Sequence, residues 1–531
     1  MDSTIDFARF FALLRTFRSL AEGESNDNRK CTSRKIKMRK FIIAIMCMAS
    51  VGTMCAEDVL QVVPFETKAG ATVDDGLSFS VAMNNASAEI WALQFDLLLP
   101  EGMTIDDVSG WDPFELSTDR FPHTTGRGGA ITWKHSVYYD LLESGWYRII
   151  VFTSETERII GDSGELFKVY YLTDETMQPG IHPIYIKGTV LTITGSTDIQ
   201  PGESTSYCVI GESPLKTAKE VNLKDFTGYI PSWVVESLNE DLASNTATNI
   251  RLEQTEGIGA AIETANKNAL YYVKAGSECA GQLAGKSVAE VDGASYHCDD
   301  LYLYDGEYDF SVTQAMTCTK AYFDRTFIEE YWSTVCLPFA VTSEQVNLLK
   351  ENGVQIEAMS AFDGSSITFT AVDEMLANTP YIVKCSSEMM PFAELEIAEV
   401  ATTGALNEVS IDNIQMKGCY ATTLLNSDDN TAYYVFNAAT GEFVKVGKNG
   451  KVMPFRAYIQ LTADGTQPAA MRVRHENKET NITSIQESDT TVSNVYATSG
   501  KLVRKGVSIQ QGIQGLEKGI YIINNRKVII R

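Results

Sequence analysis

Histidine, basic residues and long apolar runs are the scarce elements of this 531-residue sequence, and each shortage excludes something. The five histidines, His123, His135, His182, His297 and His475, are scattered. None stands in a His-Glu-x-x-His or comparable spacing, so the helical zinc-hydrolase signature is absent. The 14 prolines and 38 glycines are ordinary usage, which excludes collagen-like and low-complexity chains. No apolar run approaches the roughly 20 residues of a membrane-crossing helix. With 44 basic against 69 acidic residues the net charge is -25, which argues against a nucleic-acid backbone or an anionic lipid surface as principal partner. What is present is 44% hydrophobic and 10% aromatic side chains, enough to bury cores and incompatible with a disordered polymer. The length suggests about three domains.

The first 56 residues read as an address. Met38-Arg39-Lys40 precedes the apolar run Phe41 to Met48 and small residues up to Ala56, the charged, apolar, small order of a secretory signal peptide. Translation is expected to begin at Met38, with cleavage after Ala56 in Met54-Cys55-Ala56. The rival reading is a lipid-modified N-terminus at Cys55, from which Met54 departs because such sites have a small residue before the Cys. Residues 1–56 carry more basic than acidic side chains, so the remaining chain is more acidic still. The expected location is secreted or on the outer cell surface.

Residues 57–210 show short alternating apolar runs between turn residues, the pattern of an all-β sandwich. In Trp91, Leu93, Phe95, Leu97 and Leu99 every second residue is apolar while Gln94 and Asp96 interrupt the other face, and Pro100-Glu101-Gly102 ends the strand. The run AEIWALQFDLLLPEGM from Ala88 to Met103, with Pro179-Gly180-Ile181-His182 and the strand Ile184 to Ile193, resembles the cohesin-like and carbohydrate-binding sandwich modules of secreted bacterial proteins. That resemblance implies a sandwich fold, and it leaves sugar binding, dockerin binding and spacing open.

Residues 211–325 read as an irregular α+β region. Apolar runs at Val221 to Phe226, Ile250 to Leu252, Leu270 to Val273, Leu301 to Tyr304 and Ala321 to Phe327 are spaced as rungs of a short parallel solenoid would be. Helices are expected over Pro231 to Leu238 and, from its alanines, over Ile258 to Asn266. Residues 326–474 form a second β-rich, sandwich-like domain, with Ser343 as N-cap of a helix through Lys350. Its WSTVCLPF (332–339) and Asn378 to Lys384 resemble a module near the C-terminus of surface proteins from Bacteroides-type bacteria. Residues 475–491 are a polar linker. The last segment, 492–531, is a small β tail: NVYATSGKLV is a strand, a Ser-Gly turn and a strand, and KGIYIINNRKVIIR is a hairpin through Asn524-Asn525. It resembles the C-terminal sorting domains of the type IX secretion system and related Bacteroidetes tails, which implies export machinery as a partner. The spacer Ile509 to Gln514 departs from that pattern.

Chemistry is sparse. Gly161-Asp162-Ser163-Gly164 matches the start of a trypsin-like nucleophile motif, but Glu165 replaces the next Gly, and a turn between strands accounts for it. Cys208, Cys279, Cys298, Cys318, Cys336, Cys385 and Cys419 are seven after the leader, so at least one is unpaired. A disulfide among Cys279, Cys298 and Cys318, or buried thiols, is favoured over a metal set with His297, and Cys336 and Cys385 read as core hydrophobes. Asn426, Asp428 and Asn430 place oxygens at alternating positions as a calcium loop does, although Thr431 stands where such a loop has Gly; a solvated turn is favoured and no other cofactor is indicated. Trp111, Trp133, Tyr138, Tyr139 and Trp146, clustered in the first sandwich, are the candidate ligand-binding aromatics. The reading is an exported, non-catalytic binding or adhesion protein recognising an extracellular glycan or protein through its first sandwich. A secreted hydrolase acting on glycans or peptides, and a structural surface component, are the alternatives.

Overall fold

The computed structural model describes residues 59–85, 89–155, 157–193, 198–462, 467–476, 493–497, 499–507, 516–523 and 526–530. The expected signal segment with Cys55, most of the linker, the spacer at 509–514 and the Asn524-Asn525 turn lie outside the described residues. The chain is mostly β, with few and short helices. Among the described residues no helix is long and apolar enough to cross a membrane.

Period-2 alternation builds the first sandwich as the sequence predicts. Strand Ile90–Leu98 turns Leu93, Phe95 and Leu97 into the core and leaves Gln94 on the outer side. It is flanked by Tyr147–Thr153, then His135–Leu141, on one side and by Gly180–Ile193, then Ser204–Ile210, on the other. The facing sheet runs Val59–Val62, Ser78–Asn84, Ser163–Thr173, Met103–Ile105. Phe79, Val81, Ile149 and Phe167 fill the space between the two. Gly161 to Gly164 is a turn leading into the Ser163–Thr173 strand, with Gly161 and Gly164 at φ of 73° and 117°. Buried Arg120 fixes it, donating to the carbonyls of Ile160, Gly164 and Met83 and to Asn85 Oδ1. Among the described residues Ser163 Oγ donates to its neighbour Asp162 at 3.3 Å.

Two parallel ladders follow. Glu220–Asn222, Asn249–Leu252, Leu270–Lys274 and Ser287–Asp292 pair in parallel, in that order. The last sandwich strand, Ser204–Ile210, starts the second ladder with Gly228–Ile230 and Thr255–Ile258. Val221, Ile230, Ile250, Ile258 and Val273 pack between the ladders with Val234, Val235 and Leu238 of helix Ser232–Leu242. Together the ladders form a short solenoid; each of the five apolar runs starts in its larger sheet, which Ser295–Tyr304, antiparallel to Ser287–Asp292, and Met316–Asp324 extend. Asparagines hold the turns from inside: Asn245 donates to Leu215 and Ala218 carbonyls, Asn266 to those of Ala247 and Asp309, and Asn268 to those of Tyr304 and Tyr308.

The helix expected over Ile258 to Asn266 is absent. Ile258 ends a strand and residues 259–266 run irregularly. Asn239 donates to the Ala261 carbonyl at 3.0 Å and accepts from the Glu263 N–H at 2.8 Å, taking backbone groups a helix would have paired internally. Gly259 meanwhile lies on the backbone of Ser232, which fixes the path of the segment.

In the third region the helix is Ser343–Glu351, and Thr342 rather than Ser343 is its N-cap. Thr342 Oγ1 accepts from the Gln345 N–H at 3.3 Å while Gln345 Oε1 accepts from the Thr342 N–H at 2.9 Å, a reciprocal pair that Ser343 has no partner to make. A ten-strand sheet from Trp332–Cys336 to Val409–Ile411 encloses Ile367, Phe369, Met416, Tyr434, Phe443 and Ile459. A second core joins this region to the solenoid: Leu301, Leu303, Ala321 and Phe323 pack with Val335, Phe339, Val383 and Phe455. Asp305 and Arg456 add a bidentate ion pair at 2.7 and 3.0 Å between the two. The C-terminal residues form their own four-strand sheet, Leu502–Val507, Ser493–Ala497, Gly519–Ile523, Arg526–Ile530, with Gly500 at φ 79° in the Ser-Gly turn.

Candidate functional site

Strand parity sorts the five candidate aromatics. Tyr138 points outward from His135–Leu141 and is 55% exposed. Its neighbour Tyr139 points inward, its ring 5.2 Å from that of Phe114, and burial raises its phenol above the ordinary value. Trp146 opens strand Tyr147–Thr153, with Lys187 Nζ standing 3.7 Å from its ring centre. Trp133 ends the small hairpin strand Ile131–Trp133 and packs on His123 at 5.3 Å. Trp111 lies on a loop, 83% exposed. Tyr138 and Trp146 therefore share the outer face of one sheet, and the other three do not join them.

That face is built by residues the sequence reading passed over. Register places Asp140 opposite Arg148, Arg148 opposite Asp96, and Asp96 opposite Lys187, a row of alternating charge across four strands. Its centre is rigid, since Arg148 grips Asp96 in a two-pronged pair at 2.8 and 3.0 Å. That carboxylate holds the guanidinium above its ordinary value. The next row is Tyr138, Ile150, Gln94, Val190, and Phe152 stands beyond it, 44% exposed. On the other side of the charged row Leu98, Trp146, Tyr185 and Lys187 line a hollow of about 240 Å³ that Thr227 of the solenoid closes. Tyr185 Oη donates to the Asp225 carbonyl at 2.5 Å across this junction.

Solved structures similar to part of the chain include the following three. All three are cohesin modules. The cohesin CaCohA2 of Clostridium acetobutylicum is 16% identical, covering 28% of this chain and 88% of its own, with a TM-score of 0.22. A non-cellulosomal cohesin from the hyperthermophilic archaeon Archaeoglobus fulgidus is 13% identical over 30% of this chain and 93% of its own, with a TM-score of 0.20. The sixth cohesin of Acetivibrio cellulolyticus scaffoldin B, solved in complex with a Cel5 dockerin mutant, is 10% identical over 29% and 99%, with a TM-score of 0.22. No family model and no curated protein matches the sequence.

The remaining candidate groups are occupied locally. Asp428 Oδ1 accepts from the Asn430 and Thr431 N–H groups at 2.8 and 2.7 Å, which lowers its carboxyl, and Asn426 Oδ1 accepts from the Asn449 N–H. These oxygens close a turn. Among the described residues no group of three or more His, Cys, Asp and Glu side chains is placed to hold a metal ion. The seven cysteines among the described residues are buried free thiols. Cys298 and Cys318 face each other in register inside the sheet, Cys279 lies in the other solenoid core, and His297 points outward, so the four form no common set.

His135 gives the sandwich a pH dependence. Its ring is packed on Phe121 at 5.1 Å, Nε2 contacts the Trp91 carbonyl, and Nδ1 is buried without a partner. Burial lowers its pKa below 6.5. The unfolded chain then binds the proton more readily than the folded one, so stability is full above 6.5 and falls as the pH drops toward the folded value. A melting series from pH 7 to pH 5 is expected to show this fall, and His135→Phe should flatten it. An identical slope in that variant would remove His135 as the cause.

Proposed function

We propose that the chain is an exported, non-catalytic binding protein whose first sandwich docks a folded protein partner on the outer face of the Tyr138 sheet. One observation carries this reading: a rigid row of alternating charges lies directly beside a mostly apolar, half-buried row that ends in exposed Tyr138, with exposed Phe152 beyond it. Stable protein interfaces combine those two elements, apolar and aromatic anchors for affinity and charges for register and encounter. A flat four-strand face suits a partner surface better than a small ligand, which calls for a deeper, more enclosed pocket. The C-terminal sheet serves as the export address that its resemblance to type IX sorting domains implies, and the solenoid and third region hold the sandwich away from the tail.

A photo-crosslinking residue at position 138 in the full chain, produced in its own cells, tests the docking face. A discrete adduct with one protein is expected, and Arg148→Glu should cut its yield at least about tenfold, because reversing the central charge sets three carboxylates in a row where the partner would meet alternating charge. Adducts that persist unchanged in that variant would place docking elsewhere. Retention of the protein inside the cell after removal of residues 493–531 supports the export role; unchanged export refutes it.

A further inference from the structure

We infer that the outer face of the sheet made by Ser287–Asp292, Ser295–Tyr304 and Met316–Asp324 is a trough that binds a neutral, extended oligosaccharide. The strands Ser295–Tyr304 and Met316–Asp324 run parallel and in register, so four side-chain pairs line up: His297 with Thr317, Asp300 with Lys320, Tyr302 with Tyr322, Tyr304 with Asp324. At about 3.3 Å per residue this stripe is about 25 Å long. The inward residues Leu301, Leu303, Ala321 and Phe323 are fully buried, which makes the strip a fixed platform. Tyr302 and Tyr322 stack with ring centres 5.0 Å apart and planes 14° from parallel. Both stay half-exposed.

Hollows adjoin this pair along the stripe. One of about 200 Å³ is lined by Tyr302, Tyr304, Tyr322, Asp324, Met390 and Ala393. Tyr302 also borders a second, of about 160 Å³, against Ala284, Gly285 and Asp300. Glu290 links that one to a third, of about 610 Å³, containing Tyr296, His297, Thr317 and Glu399. Tyr302 borders the first two and Glu290 the last two, so the three hollows follow one another along the sheet, a succession that suits a chain of rings better than a single small molecule.

The chemistry selects the ligand. Tyrosine faces and edges receive the apolar CH side of a sugar ring, and carboxylates accept from its hydroxyls. Asp292, Asp300 and Asp324 stand on the rim with Asp299, which pairs with His297, while the basic Lys286 and Lys320 are already paired with Glu263 and Glu394. An acidic sugar is therefore repelled. Lys267 Nζ stands 5.5 Å from the ring centres of both Tyr304 and Tyr308, so those two rings already have a cation beside them. What remains is an uncharged, hydroxylated, ring-bearing polymer.

The test titrates the chain from residue 57 onward with neutral gluco-, manno-, galacto- and xylo-oligosaccharides, with uronate oligosaccharides, and with an arginine-rich peptide. Saturable binding of at least one neutral class is expected. Tyr322→Ala and Tyr302→Ala should each weaken it about tenfold, since each removes one stacking ring. Tyr322→Phe keeps the ring and should keep most of the affinity, and Leu348→Ala, at an exposed position of helix Ser343–Glu351, should leave it unchanged. Circular dichroism and the melting temperature, unchanged in Tyr322→Phe, show that the fold is intact. No binding of any neutral class, binding only of the uronates or the peptide, or affinity that survives Tyr322→Ala would overturn the proposal.

Discussion

Replacing Asn268 with alanine is expected to destabilise the solenoid by about 3 to 4 kcal/mol, because three hydrogen bonds of one fully buried side chain vanish together. Asn268 Nδ2 donates to the Tyr304 and Tyr308 carbonyls at 3.0 and 2.8 Å, and its Oδ1 accepts from the Tyr304 N–H at 2.7 Å. Alanine removes all three bonds at once and leaves an unfilled space where the buried amide stood. For a unit of this size the loss corresponds to a melting shift of about 10 °C. Asn268→Asp should fare no better: it can still accept from Tyr304, but it presents a carboxylate to two carbonyl oxygens. Thermal unfolding followed by tyrosine fluorescence measures both variants. A shift of only a degree or two would mean that the turn is held by its backbone alone.

The second large effect is steric. A Cβ on Gly259 would lie 2.3 Å from the Ser232 nitrogen, 2.8 Å from its Cα and 3.0 Å from the Pro231 carbonyl carbon. Every one of those atoms is backbone at the entry of helix Ser232–Leu242, so no side chain can swing aside. The Gly259 N–H also donates to the Ile230 carbonyl at 2.8 Å, which ties the two segments at that separation. Gly259→Ala is expected to cost at least about 3 kcal/mol or to prevent accumulation of folded protein. Gly281→Ala is the matched control, since nothing lies within 4 Å of its Cβ and it sits in the short helix Cys279–Gln282. That change should be neutral or slightly stabilising. Equal stability of the two variants, measured by urea denaturation, would contradict the close approach.

These two positions also show what a single sequence reveals. The alternation in Ile90–Leu98 is legible because its period is 2 and one face is buried. The rungs at 250, 270 and 301 are legible as apolar runs, whereas SVAEVD over Ser287–Asp292 carries too few apolar residues to stand out. The segment from Gly259 onward misleads because its alanines favour a helix while side-chain bonds from Asn239 and the contact with Ser232 decide otherwise. Tyr138 and Tyr139 are adjacent and chemically alike; only strand parity separates the surface residue from the core residue. Arg148 and Asp96 are 52 positions apart, and Tyr302 and Tyr322 are 20 apart, so each pair exists only through register. Register is set by the packing of whole sheets and leaves no local mark on the chain.

The seven sequestered thiols have a practical consequence. Burial pushes Cys208 and Cys336 up to about 12 and Cys385 and Cys419 up to about 11, so no reactive thiolate forms at these four near neutral pH. An alkylating reagent can label such a sulfur only when the surrounding packing opens. Because Cys208 lies in the first sandwich, Cys279 inside the solenoid, Cys336 in the core shared by solenoid and third region, and Cys419 beside Leu425 and Val452, mass-resolved labelling rates become four separate clocks. Read together, they report which part of the molecule breathes first under heat, denaturant or pulling force.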